Sequence, residues 1–192
     1  MILPCSFYSR PTLKVLEDLI GAVLVRKTEE GYTSGIIVEA EAYRGEDDPA
    51  SFASRGRTKK SASLYGPSGR AFVYLTYGVH CLLNVITEKE DFPAAVLIRA
   101  LEPKDGIKLM MKRRQRNNLL DLCSGPAKLC QALAVDLKVN GISVCSPKSP
   151  LFIEKGKAEP GELVWRPRIG ISRGRDRLWR VYFKDSPFVS FK

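Results

Sequence analysis

The sequence predicts a mixed α+β fold, and three observations predict it. Runs rich in β-branched and aromatic residues recur at 22–27, 35–43, 70–86 and 94–103, set apart by glycine, proline and charged stretches. Helical periodicity is confined to shorter segments at 11–20, 105–116 and 123–135. No internal repeat and no clear linker interrupts the 192 residues, a length near the common domain size, so residues 1–192 are expected to form a single domain.

In chain order, "PTLKVLEDLI" at 11–20 places Leu13, Leu16, Leu19 and Ile20 on one helical stripe, with Pro11 near the first turn and Gly21 as the stop. The run "AVLVRK" at 22–27 has strand composition. "GIIVEAEAY" at 35–43 alternates, which assigns Ile36, Val38, Ala40 and Ala42 to one face and Glu39, Glu41 and Tyr43 to the other. Residues 46–68 show little periodicity and much Asp, Ser, Gly and Lys, the marks of a long functional loop. "RAFVYLTYGVHCLLNVI" at 70–86 reads as a hairpin about Gly78 with Tyr77 near its tip. "AAVLIRALEP" is a nearly apolar strand with Arg99 inside it, and "DGIKLMMKRRQR" a helix with Asp105 as its N-cap. A helix led in by Ser124, Gly125 and Pro126, an Asn140-Gly141 turn, an "SPKSP" loop and a last strand "WRVYFK" complete the pattern.

Thirty-one Lys and Arg against 21 Asp and Glu give a formal net charge of +10, which implies a polyanionic partner, most simply nucleic acid. The excess is clustered at Arg55, Arg57, Lys59 and Lys60, at Lys112, Arg113, Arg114 and Arg116, and at Arg166, Arg168, Arg173, Arg175, Arg177 and Arg180. Five cysteines without a C-x-x-C pair fit reduced thiols, and a single histidine, His80, argues against a zinc site. The longest apolar run, residues 19–25, is too short to span a bilayer and the N-terminus has no targeting pattern, so a cytoplasmic protein with no membrane partner is expected.

Against this basic background, "VEAEAYRGEDD" packs five acidic residues between Glu39 and Asp48. Residues two apart on a strand point the same way, roughly 6.5–7 Å apart, so Glu39, Glu41 and Tyr43 form an acid-acid-aromatic row. Arg99, the charge inside a buried-looking strand, demands a carboxylate. A carboxylate held ionised by an arginine can serve as general base toward water. Tyr43, Phe52, Tyr65, Phe72, Tyr74 and Tyr77 fall in the same part of the chain, available to stack on a planar ring, although Phe72 reads better as core. A basic exterior, an aromatic-tipped hairpin and a carboxylate-arginine pair together suggest an enzyme that acts on an extruded base.

The blocks "GIIVEAEAYRGEDDPAS", "GRAFVYLTYGVHCLLNV", "AAVLIRALEP", "LCSGPAKLCQAL", "RPRIGI" and "SPFVS" resemble, in order, those of the 3-methyladenine (alkyladenine) DNA glycosylases of the non-helix-hairpin-helix type, and cover most of residues 11–190. The resemblance implies a mixed domain around a curved antiparallel β-sheet, with a protruding hairpin inserted into the DNA minor groove. It also implies excision of alkylated or deaminated purines from double-stranded DNA by a monomer that needs no cofactor and no metal.

Carried over by position, the resemblance makes Glu41 the general base that activates water, Arg99 a residue that helps hold that water, and the backbone at Ile169 the source of a carbonyl to it. Tyr43 and Tyr74 then sandwich the base, Tyr77 fills the vacated stack, and Asn84 crowds the exocyclic amino group of guanine. Arg55 and Lys60 fall where phosphate contacts are expected. Glu39 has no such role and is expected only to tune acidity. One departure matters: Phe52 stands where the family usually has histidine, which keeps a stacking face and loses a side-chain hydrogen bond. Two rival readings stay open, a homologue that binds damaged DNA without turnover, and a metal-dependent nuclease using Glu39, Glu41, Asp47 and Asp48.

Overall fold

The computed structural model describes residues 1–156 and 161–191. Its strands are β1 (Val23–Thr28), β2 (Gly31–Arg44), β3 (Ala71–Thr76), β4 (His80–Ile86), β5 (Ala94–Asp105), β6 (Leu151–Glu154), β7 (Leu163–Arg166) and β8 (Arg180–Phe183). They form one antiparallel sheet in the order β3-β4-β5-β2-β1-β6, curled into a half-barrel, with β8 also beside β2 and β7 beside β8. The fold is thus mixed α+β, as the strand and helix patterns predict. β2 is long enough to divide one of its sides between two neighbours, β1 along Gly31–Ile36 and β8 along Glu39–Glu41. Its other side runs against β5.

Helices α1 (Cys5–Tyr8), α2 (Thr12–Leu19), α3 (Ile107–Arg114), α4 (Leu119–Leu122) and α5 (Pro126–Leu133) accompany the sheet, and among the described residues no helix is long and apolar enough to cross a membrane. α2 buries Thr12, Val15, Leu16 and Leu19, so its inner stripe runs through Val15 rather than the expected Leu13. Asp105 does not cap α3: it is still the last residue of β5, and its carboxylate accepts the Ser34 hydroxyl at 2.5 Å. The helix begins instead after Gly106, whose φ of 73° is left-handed and whose Cβ, were there one, would collide with the Tyr32 carbonyl. β6, β7 and α4, each four residues long, carry too little periodicity to be read from sequence.

Strict alternation along β2 fails at one point, and the failure shapes the site. Ile37 faces Leu101 and Glu39 faces Ala100 across the ladder, leaving Val38 as an extra residue; Ala40 then faces Ile98, leaving Arg99 as an extra residue on β5. The expected grouping of Ile36 and Val38 with Ala40 and Ala42 is therefore incorrect. Ile37, Ala40, Ala42 and Ile98 join the core beneath the helices, while Val38 packs with Ala100, Tyr182 and Val189. Because the two irregularities compensate, Glu39 and Arg99 come side by side on the opposite face of the sheet.

Ile98 and Leu83 are fully buried in the main core. Either residue changed to alanine is expected to cost about 2–5 kcal/mol, read from the shift in urea midpoint at unchanged slope.

Candidate active site

Strand register, rather than sequence proximity, assembles the site. Phe72 pairs with Asn84, Asn84 with Leu97, Leu97 with Glu41 and Glu41 with Arg180, giving one row straight across β3, β4, β5, β2 and β8. At roughly 4.8 Å per strand, Glu41 and Asn84 lie on the order of 10 Å apart on the face turned away from the helices. Tyr43 and Tyr74, two residues along their strands from Glu41 and Phe72, share that face.

Glu41 is fully buried and held by two hydrogen-bond donors and one guanidinium. Its Oε1 accepts the Ile169 backbone N–H at 2.7 Å and lies 3.2 Å from Arg99 Nη1, and its Oε2 accepts the Tyr43 hydroxyl at 2.9 Å. The structure thus places the N–H of Ile169 on the carboxylate, where the resemblance implied a carbonyl toward water. Burial pushes the Glu41 carboxyl up, and Arg99, the Ile169 N–H and the Tyr43 hydroxyl oppose it. A raised carboxyl is a stronger proton acceptor once ionised.

Glu39, its neighbour on the strand, is spent on structure. It takes Arg99 Nε and Arg180 Nη1, each at 3.0 Å, and both the N–H and the hydroxyl of Ser190, at 2.6 and 3.0 Å. Arg99 therefore bridges the two carboxylates, with only 8% of its side chain exposed. Asp48 is equally committed, as described below, and among the described residues no three His, Cys, Asp or Glu side chains form a group that could hold a metal ion. The four-carboxylate metal set does not come together.

In front of Tyr43 lies a cavity of about 160 Å³, lined by Tyr43, Phe52, Phe72, Tyr74, Asn84 and Ile171 among others. Phe72 therefore serves both as core and as cavity wall. The Phe52 ring stands edge-on to Tyr74 at 4.7 Å between centroids and is 42% exposed, so it closes the mouth of the cavity rather than its floor. Asn84, 4% exposed, donates to the Phe72 carbonyl at 3.2 Å. Burial pushes the Tyr74 hydroxyl up to about 12, keeping it neutral. Glu41 itself lies one hydrogen bond behind this cavity, through Tyr43.

The remaining candidates are dispersed. Tyr77 caps the β3–β4 turn, 93% exposed, with its φ at 52° and that of Gly78 at 73°, the left-handed pair that a tight hairpin turn requires. Arg55 and Lys60 are exposed along a groove that shares Phe52 with the cavity. Tyr65 is not at the cavity: it is buried, its hydroxyl donating to Glu46 at 2.6 Å. The arginine clusters are also less available than their spacing suggests. Arg180 is buried against Glu39, and Arg113 and Arg114 are tied to Glu30, Gln131 and backbone carbonyls.

Sequence reasoning missed one pair entirely. Asp48 and Arg168, both with fully buried side chains, form a two-point ion pair at 2.6 and 2.7 Å. Arg168 also donates to the Ala42 carbonyl at 2.9 Å, and its guanidinium lies 4.7 Å from the Tyr43 ring centroid and 5.2 Å from that of Trp179. The pair ties the loop bearing Phe52 to the segment bearing Ile169. The only sequence signal was an arginine inside "RPRIGI", indistinguishable there from a phosphate-binding one.

The model of the family described as methylpurine-DNA glycosylase (MPG) matches residues 6–187. The chain is 44% identical over 187 residues to a protein of Prosthecochloris aestuarii, spanning 96% of this chain and 89% of that one. It is 45% identical over 193 residues to a protein of Methanocella arvoryzae, spanning 98% and 96%, and 45% identical over 193 residues to one of Carboxydothermus hydrogenoformans, spanning both chains in full. All three bear the name "Putative 3-methyladenine DNA glycosylase". With a basic chain, a buried carboxylate and an aromatic cavity already in place, the likeness is decisive: the chain belongs to the methylpurine-DNA glycosylase family, the glycosylases of DNA repair.

Proposed function

We propose that the protein hydrolyses the N-glycosidic bond of alkylated or deaminated purines, 3-methyladenine first among them, after flipping the nucleotide out of double-stranded DNA. The observation that carries this reading is Glu41: a buried carboxylate between a guanidinium and a backbone N–H, directly behind an aromatic cavity. In this reading the flipped base enters between Tyr43 and Tyr74, with Phe52 over it and Asn84 at its edge. Glu41 takes a proton from water as the water oxygen attacks C1′, and Arg99 helps hold that water. The base leaves with the bonding electron pair. Alkylated purines are the best substrates here, because they carry positive charge before the bond breaks and need no proton from the enzyme.

Release of free base from a methylated duplex tests the reading. Wild type is expected to release it in EDTA, with strand breaks appearing only after alkali. Nicks formed directly, or lost with EDTA, would favour a nuclease; binding without release would favour a non-catalytic homologue.

Two further outcomes follow from the exposed elements. Tyr77→Ala is expected to weaken the flipped complex by about 1–3 kcal/mol if the ring fills the gap in the stack, measured by fluorescence of a base analogue beside the lesion. Lys60→Ala and Arg55→Ala are each expected to lower the slope of log affinity against log salt by about 1, in duplex binding between about 50 and 200 mM salt.

A further inference from the structure

Tyr43 does more in this structure than line the cavity. A residue used only for stacking needs a ring, and phenylalanine supplies one; here the hydroxyl points back to Glu41 Oε2 at 2.9 Å. A carboxylate offers about four acceptor sites. The Ile169 N–H engages one on Oε1 and the Tyr43 hydroxyl one on Oε2, while the Arg99 guanidinium lies 3.2 Å from Oε1 as an ion pair, so acceptor capacity remains for a further donor.

We propose that Tyr43 is a positioning residue for Glu41, its hydroxyl holding the carboxylate in the orientation that leaves acceptor capacity for water, and that the buried Asp48–Arg168 pair holds Tyr43 in place. The inference rests on the reading of Glu41 as general base. Its geometry is continuous: Asp48 receives both ends of the Arg168 guanidinium, that guanidinium covers the Tyr43 ring, and the next residue, Ile169, binds the other oxygen of Glu41. Tilting the ring away from Glu41 would mean moving a cation packed between Tyr43 and Trp179. One strut thus sets both oxygens of the carboxylate.

The charged and titratable groups facing Glu41 define the expected response. They are Arg99 from β5, Glu39 and Tyr43 from β2, Tyr74 from β3 and Arg180 from β8, with Arg168, from the segment after β7, against the Tyr43 ring. Of these, the Tyr43 hydroxyl favours the ionised carboxylate by donating to it. Its removal moves the Glu41 titration further up, whereas loss of a stacking ring alone would not.

The test is Tyr43→Phe, which keeps the ring. Carbon NMR of side-chain-labelled glutamate, with Glu41→Gln identifying the resonance, reads the titration without reference to activity. The Glu41 midpoint is expected to move to higher pH in Tyr43→Phe, and in the same direction in Arg168→Lys, which keeps the charge but not the planar stack. Single-turnover base release by Tyr43→Phe is expected to fall about tenfold, with duplex affinity within about twofold of wild type and the deficit shrinking as pH rises. An unshifted midpoint in Tyr43→Phe overturns the proposal, however fast excision is. A shifted midpoint in a protein whose wild type releases no base supports the contact and removes instead the reaction proposed above.

Discussion

Glu41→Gln is expected to fold, to bind a lesion-bearing duplex and to release base about 10²–10⁴-fold more slowly than wild type under single-turnover conditions. Glutamine keeps the shape and an oxygen for the Ile169 N–H, and Arg99 keeps Glu39 as a partner. What it loses is the proton acceptor. The same change is expected to raise thermal stability at neutral pH. Because burial raises the Glu41 carboxyl above its unfolded value, the folded state is most favoured below the unfolded pKa, and this advantage is lost as pH rises through the folded pKa. Removing the ionisable group removes that loss, so the gain in Tm over wild type should shrink as pH is lowered. A variant both slower and more stable marks a site strained for function.

Asp48→Ala is expected to cost about 3–5 kcal/mol, because it leaves the Arg168 guanidinium buried without its counter-charge. Asp48 also accepts the backbone N–H of Ala50 at 3.1 Å, so the loop entering Phe52 loses its anchor as well. Urea unfolding at constant slope reads the loss. The double variant Asp48→Leu with Arg168→Met is expected to recover most of that stability, since a buried ion pair replaced by packed apolar groups is often neutral or better. It should not recover excision, because nothing then fixes Tyr43 and Ile169 about Glu41. Recovery of both would show the pair to be scaffold alone.

How much of this was legible in the sequence follows from how local each feature is. β2 and β5 announce themselves through composition, and the Glu41–Arg99 contact follows from one charge in an apolar strand needing a partner. The hairpin is legible because Tyr77 and Gly78 sit between two strand-like runs. The bulges at Val38 and Arg99 are not legible, because alternation is read within one strand and a bulge is a mismatch between two. Asp105 looked like a cap because Asp commonly is one, but the chain needed a left-handed residue there and used Gly106. Arg168 and Arg180 counted as surface charge, since an isolated sequence cannot tell a phosphate-binding arginine from one neutralised 120 or more residues away. Phe52 was legible as one of several aromatics able to stack, but not its place at the cavity mouth, because its edge-on contact with Tyr74 comes from the loop's path.

The central claim is that one ionised carboxylate, at Glu41, takes the proton from attacking water. The rate of base release from a methylated duplex at saturating enzyme, followed from about pH 5 to 8, tests it most directly. Wild type is predicted to slow along a single limb as pH falls through a midpoint above the ordinary glutamate value, while Glu41→Gln stays slow and flat across the range. A wild-type rate that does not change with pH, or a Glu41→Gln variant that follows the same limb at the same rate, would contradict the account.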